Sequence, residues 1–556
     1  MNNFLPLHQA EILQNGWTEL DIILITGDAY VDHPAFGVAL LGRYLVAKGF
    51  RVGLIAQPQN DNDYLRLGRP RLFFGISSGN VDSMVNHYTA QRKIRSEDDY
   101  SPNKQIGLRP DRAVSVYTQK VKQLFKGIPV VIGGLEASMR RIPHYDFWSD
   151  KVKNSLLIDT KANILVYGNG EKQILAIARR LQLQQTIDNI LGTCILSREK
   201  PDDSLELTNF DTVSEPENFY QMTKKFHQNY KTQILYYRFH ERYYLHYPPP
   251  EPLTTKELDE IYQLPFQRAP HPKYKGKFIV AFEQIKYSVL SHRGCYGGCS
   301  FCCIGLHQGK SIQSRSIASI LDEIRTITRK SYFKGTITDL AGPSANMYGT
   351  FCKKKVAGSC PQLSCLYPDL CKYLEHQAKP YLELLATARQ LPGVANVFVS
   401  SGVRFDLALA QPELISELCF FYTPGYLKLA PEHVSSHVLA KMYKPSIKKY
   451  LQFTHIFTGY VQKIAKKQYI IPYLIVGFPG TTKGDALELK EFLQKNYLKV
   501  EQIQEFTPTP MTIATMMYYT GIDFTTGEKI YVPKGKDIRE QKNLAMWWQK
   551  QSKGKK

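Results

Sequence analysis

Ser291-His-Arg-Gly-Cys-Tyr-Gly-Gly-Cys-Ser-Phe-Cys302 follows directly on an apolar run at 285–291. Cys295, Cys299 and Cys302 are spaced C-x3-C-x2-C, with Phe301 just before the last cysteine. Three thiolates on one short loop can hold three irons of a [4Fe–4S] cluster and leave the fourth iron open to a small ligand. A structural zinc site usually reads differently, as four ligands in two well-separated pairs. Gly294, Gly297 and Gly298 let the backbone wrap closely around a bulky inorganic core. The adjacent Cys303 is expected to point elsewhere.

Outward from this loop, residues 283–508 show six apolar segments, near 285–291, 335–340, 396–400, 426–430, 469–477 and 500–507. Each is followed by a helix-like stretch. Six βα units predict a partial (β/α)6 barrel over 281–510, with the cysteine loop after the first strand, at the carboxyl face where barrels carry their chemistry. Upstream, strand-like runs at 21–27, 51–57, 128–134 and 162–168 alternate with helical stretches at 35–49 and 169–183. That alternation predicts a doubly wound, flavodoxin-like parallel sheet over 1–200. Residues 201–280, with Pro248-Pro-Pro250, read as a linker, and 511–556 as a basic extension.

The cysteine loop resembles the C-x3-C-x-aromatic-C signature of radical S-adenosylmethionine (SAM) enzymes. The strings Phe506-Thr-Pro-Thr-Pro510 and Met517-Tyr-Tyr-Thr-Gly521 narrow the resemblance to the YgiQ family of radical SAM proteins, over nearly the whole chain. The resemblance implies that the open iron chelates SAM and that reductive cleavage yields a 5′-deoxyadenosyl radical acting on a substrate the sequence does not name. It implies SAM contacts from Gly342 and Pro343 in Asp339-Leu-Ala-Gly-Pro343. It implies others from Ser401 and Arg404 in Ser400-Ser-Gly-Val-Arg-Phe-Asp406, where the alternative is an internal Arg404–Asp406 pair. Gly477, in Gly477-Phe-Pro-Gly480, and Phe301 fall on the adenine side. Glu432 and His433, ending the fourth strand, are candidates for positioning substrate or moving a proton; the alternative is a polar turn without chemistry. The first domain resembles the cobalamin-binding-like domains that precede many radical SAM barrels. Their D-x-H-x-x-G pattern is replaced here by Asp32-His-Pro-Ala-Phe-Gly37, which argues against cobalt ligation by His33 and leaves two readings: cobalamin bound without a His ligand, or a scaffold or substrate-binding domain that shares the fold alone.

Cys352, Cys360, Cys365 and Cys371 fall in a long insertion, 343–378, after the second strand. Loops of that length in a compact barrel are usually functional. Four cysteines could make a zinc site or an auxiliary iron–sulfur cluster, or remain reduced thiols. Cys194 and Cys419 sit in apolar segments and read as core.

The chain has 556 residues, is 43% hydrophobic and carries a formal charge of +21. No apolar run is long enough for a transmembrane helix, and the start lacks a secretory pattern, so a reducing cytoplasm is expected. There, clustered cysteines read as metal ligands before disulfides. The charge suits docking of an acidic electron donor such as a flavodoxin. It also keeps open an alternative: an iron–sulfur or RNA-interaction protein without SAM turnover.

Overall fold

The computed structural model describes residues 4–354, 360–464 and 466–549. The chain divides into two compact units: 1–251 with 260–286, and 252–259 with 287–556.

In the first unit nine strands make one sheet: β1 (Ile22–Thr26), β2 (Val52–Ala56), β3 (Phe73–Ser77), β4 (Val130–Ile132), β5 (Ile164–Val166), β6 (Thr193–Ser197), β7 (Ser204–Glu206), β8 (Ile234–Phe239) and β9 (Arg242–His246). Their order is β7-β8-β9-β6-β5-β4-β3-β1-β2. The five strands from β2 to β5 are parallel, with Ile22 of β1 opposite both Val52 and Phe73. Every residue of β1 and β2 is buried. A strand covered on both faces needs an unbroken apolar run, and these sequences supply it. Antiparallel pairing of β6 to β5 and of β9 to β6 and β8 extends the sheet. Residues 201–280, expected to be a linker, therefore belong mostly to the fold: β7, β8 and β9 lie within them, as does the helix Pro216–Asn229. Their aromatic residues hid this, because Tyr237 and Tyr244 are not surface residues but stack with ring centroids 4.7 Å apart in the interior.

At the carboxyl ends of β1 and β3 the chain buries charge. Arg109 is 1% exposed; it donates to the Ser78 carbonyl at 3.0 Å and to Asp28 at 2.9 Å. Gly27 lies so close beneath that a Cβ there would meet the Ser78 carbonyl at 2.4 Å and Arg109 Cγ at 2.9 Å. Side chains therefore fill the strand-end crevice in which open α/β sheets commonly hold ligands.

In the second unit the strands are β10 (Ser288–Leu290), β11 (Thr336–Ile337), β12 (Asp339–Ala341), β13 (Asn396–Val397), β14 (Tyr426–Glu432), β15 (Tyr469–Val476) and β16 (Gln504–Glu505). β11 and β12 are halves of one strand: β12 pairs parallel with β10, and β11 with β13. β14, β15 and β16 form a second parallel run. Helices follow each position, among them Ile317–Thr328, Lys379–Arg389, Ile447–Val461 and Lys483–Lys495. The six βα positions fall where the sequence put them, although the first strand starts later, since Val280–Ile285 is helical. Along β14, Leu427 and Leu429 are buried while Tyr426 and Lys428 are exposed. This period of two turns one face onto Tyr450, Phe453 and Phe457 of the helix Ile447–Val461.

Residues 511–556 are more than a basic extension. The helix Lys536–Ala545 packs on Lys483–Lys495, and its Gln541 accepts from Gly477 N–H at 2.8 Å and donates to the Thr481 carbonyl at 3.1 Å. No helix among the described residues is long and apolar enough to cross a membrane.

Two outcomes are expected. Phe453 is completely buried, so Phe453→Ala should cost about 3–5 kcal/mol, read as a lower denaturant midpoint. Burial pushes the Asp28 carboxyl up to about 6 against the opposing pull of Arg109. A raised carboxyl favours the fold at low pH and loses that advantage as pH rises through about 6. Asp28→Asn should therefore flatten the fall in stability between pH 4 and 7; a denaturation profile as steep as the parent's would show that Asp28 titrates normally.

Candidate metal centre

The loop after β10 is held at its base and along its length. Residues His292–Arg293 pair antiparallel with Gln313–Ser314, so 294–312 projects as one closed segment. Within it, Cys295 N–H donates to Gly309 O at 3.1 Å and Cys302 N–H to Cys299 O at 3.1 Å. Outside it, Ser300 N–H donates to Met442 O at 3.1 Å and accepts, through its carbonyl, from Ala514 N–H at 2.9 Å. Gly294 and Gly298 have φ of +89° and +65°, and a Cβ at Gly298 would strike the Leu363 carbonyl at 2.1 Å. Glycine is required at both places by conformation and by space.

The three thiols are partly buried and lie within electrostatic reach of one another. Burial first, then the neighbouring thiols, pushes both Cys295 and Cys302 up. Such crowding disfavours bare thiolates and is relieved when a cation replaces the protons. Among the described residues, no three His, Cys, Asp or Glu side chains converge to hold one metal ion. A cluster does not ask for that convergence, because each thiolate takes its own iron. The donor set fits a [4Fe–4S] cluster.

Arg404 stands against this loop. Its Nη1 donates to Cys299 Sγ at 3.3 Å, and its Nε and Nη2 clasp both oxygens of Asp406 at 2.9 and 2.6 Å. Burial alone would raise Asp406, but Arg404 outweighs it and holds the carboxyl below its ordinary value. The Arg404–Asp406 pair thus forms, and the guanidinium's remaining edge faces Cys299. Asn346 fixes the backbone there: its Oδ1 accepts from Arg404 N–H at 2.9 Å and its Nδ2 donates to Arg404 O at 3.0 Å.

Ser401 donates its hydroxyl to Asp339, whose other oxygen accepts from Ser400 and Ser401 N–H at 2.8 and 3.1 Å. Asp339 thereby ties strand two to strand three, a role the sequence did not signal. Gly342 is needed for a close approach: a Cβ would meet the His292 ring at 2.5 Å and the His292 carbonyl at 2.6 Å. Pro343 stiffens the turn that follows.

Glu432 and His433 separate. Glu432 ends β14 with φ of +67°, a conformation strained for a residue with a side chain. Its carboxylate lies 3.6 Å from Lys444 Nζ. Burial raises the Glu432 carboxyl, with Lys444 and Arg404 opposing. Lys444 is 3% exposed and also acts electrostatically on Cys295. Glu432 thus joins the charged group around the cysteine loop. His433 does not: it is fully buried, its Nδ1 accepts from Ser435 N–H at 3.1 Å, and burial lowers it to about 4. The sequence reading treated the two alike; the left-handed turn at Glu432, where the pairing of β14 with β15 is bulged, sends the two side chains to different surroundings. Lys444 and Asn346 were missed: Lys444 lies in no motif, and Asn346, though within the string Asp339–Tyr348, meets a partner 58 residues on that no local pattern signals.

Phe301 makes an edge contact with Phe478 at 6.3 Å, and Phe478 with Phe506 at 5.4 Å, so the three rings form one continuous apolar group. Gly477, with φ of +76°, turns the chain beneath it. In the first unit, Asp32 accepts from Arg43 Nε at 3.0 Å, and His33 Nδ1 accepts from Ala35 N–H at 3.0 Å. His33 is 2% exposed, and burial holds it well below its ordinary value. His33 is thus enclosed, with its Nδ1 engaged by its own turn.

Comparison with known proteins follows the same division. The Radical SAM N-terminal family model matches residues 4–288. A UPF0313 protein of Thermotoga petrophila is 47% identical over 553 residues, covering 97% of both chains. UPF0313 protein YgiQ of Salmonella typhimurium is 41% identical, covering 96% of this chain and 84% of its own. Among solved structures, the radical SAM methyltransferase TsrM of Kitasatospora setae, with cobalamin and a [4Fe–4S] cluster bound, aligns at a TM-score of 0.51. At 13% identity it covers 95% of this chain and 89% of its own; that likeness is one of fold. Identity sustained over almost the full length makes this chain a member of the UPF0313 family, to which YgiQ belongs, with a radical SAM N-terminal region.

Proposed function

We propose that the protein is a radical SAM enzyme whose cluster is carried by Cys295, Cys299 and Cys302. The observation that carries this is the placement of Arg404: a buried guanidinium donates to Cys299 Sγ while Asp406 holds it in plane. When bound, the cluster supplies one electron to SAM, giving methionine and a 5′-deoxyadenosyl radical.

The chain's own residues prepare for that chemistry. The fork of Arg404 keeps a fixed positive charge beside the sulfurs. Lys444 adds a second positive charge, and Glu432 tempers it. A hydrogen bond to a cluster sulfur stabilises the more negative, reduced state and so raises the potential. Phe301, Phe478 and Phe506 give an apolar wall suited to a flat base and to excluding water. Gly342 and Pro343 present main chain at the end of strand two, and Ser401 sits at the end of strand three with its hydroxyl oriented by Asp339. Glu432 is the carboxylate best placed to position a substrate or take a proton; His433 orders the backbone at Ser435 instead. The charge of +21 suits an acidic flavodoxin-like donor. The substrate is a separate question from this front end.

Anaerobic reconstitution with iron and sulfide, followed by dithionite and SAM, should yield 5′-deoxyadenosine. Cys295→Ala should lower that yield at least about 100-fold, the scale on which loss of a chemical group registers. A spectroscopically intact cluster that releases no 5′-deoxyadenosine would refute the proposal. RNA binding that is steeply salt-dependent and survives Cys295→Ala would favour the RNA-interaction reading instead. Arg404→Lys keeps the charge but loses the fork, so the cluster's midpoint potential should move negative in a potentiometric titration followed by electron paramagnetic resonance. An unchanged midpoint would mean that the Cys299 contact does not tune the cluster.

A further inference from the structure

Four cysteines outside the proposed chemistry are brought together on the insertion after β12. Cys352 lies in the two-residue strand Phe351–Cys352, opposite Leu374 of the strand Leu374–Glu375. Leu374 N–H donates to Cys371 O at 2.9 Å, and Cys371 N–H donates to Cys365 O at 2.9 Å. Two backbone steps therefore lead from Cys352 to Cys371 to Cys365. Cys365 lies within electrostatic reach of Cys371, Cys360 and Cys352 together. This is a grouping of all four across a stretch whose spacing matches no standard pattern.

Their burial separates them from core cysteines. Cys194 and Cys419 are fully enclosed, as a small apolar side chain would be. The four on the insertion are all part-exposed, with Cys365 and Cys371 packed at the edge of a small apolar cluster made by Tyr296, Met347, Leu366, Leu374 and Leu407.

The same segment clasps the first cysteine loop. Cys365 N–H donates to Tyr296 O at 3.0 Å, and Ser364 Oγ to Gly297 O at 2.7 Å. Lys310, from that loop, donates to the Gln362 carbonyl. Gly298 is shaped to admit Leu363. Both partners in this contact are largely irregular backbone, joined by these hydrogen bonds and by the packing of Tyr296 with Leu366 and Leu374. A ligand that crosslinks one partner would stiffen the other.

We propose that Cys352, Cys360, Cys365 and Cys371 hold a second metal centre through four thiolates, iron–sulfur or zinc, which fixes the insertion against the loop of Cys295, Cys299 and Cys302. As bare thiols the four do not converge on one point. Metal entry releases their protons and draws the thiolates in. Four thiolates close the coordination shell, so this centre is structural or passes electrons and leaves no open position for substrate.

The test uses the full chain with Cys295→Ala, Cys299→Ala and Cys302→Ala, which lacks the first site and so reads the second independently of SAM cleavage. After anaerobic preparation with iron and sulfide, or with zinc, this variant should retain bound metal by elemental analysis. Adding Cys365→Ser and Cys371→Ser should remove it, with circular dichroism confirming that the fold persists. Mössbauer spectra and acid-labile sulfide identify a cluster; a zinc content near one per chain identifies a mononuclear site. If the triple variant binds no more metal than the fivefold variant, the proposal fails. Should the triple variant not fold, the parent protein decides: iron and sulfide beyond a single [4Fe–4S] cluster, or zinc beside it, supports the second centre, and one cluster with no zinc overturns it.

Discussion

A guanidinium with only 10% of its side chain exposed must be answered by negative charge, and the second unit is arranged around that demand. Asp406, two residues on, supplies that answer, and the remaining edge of the guanidinium donates to Cys299 Sγ. Because a helix of only four residues, Phe405–Ala408, follows Arg404, the fork and its carboxylate share one rigid turn. Asn346 grips the Arg404 backbone on both sides, and Gln411 links Asn346 to His376. The position of the charge is thus set by neutral amides, which hold geometry without adding charge to a dry place.

The cysteine loop takes its shape from outside itself. It has little regular structure, so its carbonyls and amides are satisfied by neighbours: Met442 after β14, Ala514 on the helix Ile513–Thr520, and Cys365 on the insertion. Three separate parts of the second unit therefore converge on one loop. Buried backbone polar groups must be paired, and here the pairing also aims the thiols. The strand ends are coupled in a similar way, with Asp339 joining strands two and three and Gly342 seating against His292.

Much of this was legible in the chain. The six βα positions follow from period and length, and the C-x3-C-x2-C spacing together with the family resemblance pointed to a cluster loop. The Arg404–Asp406 pair was one of two readings of a single string; the contact to Cys299 was not readable, because 105 residues separate them. The insertion's cysteines were legible as a group, but their clasp on the first loop was not. The linker reading of 201–280 failed for a physical reason. Tyrosine-rich, polar segments look like surface by composition, yet paired strands bury tyrosine rings and leave polar residues at the edge. Likewise 511–556 reads as a basic tail, while Gln541 and Ala545 dock inward.

The sequence by itself determined the strand–helix order and the cysteine spacing, since each depends on neighbours a few residues away. Only the tertiary structure decided which charges meet. Glu432 and His433 are adjacent in sequence and go to different environments, one beside Lys444 and the other onto Ser435 N–H. The left-handed turn at Glu432 parts the two side chains, but which of them meets the charged group depends on segments distant in the chain. That is settled by packing, where burying a charge is tolerated only beside its partner.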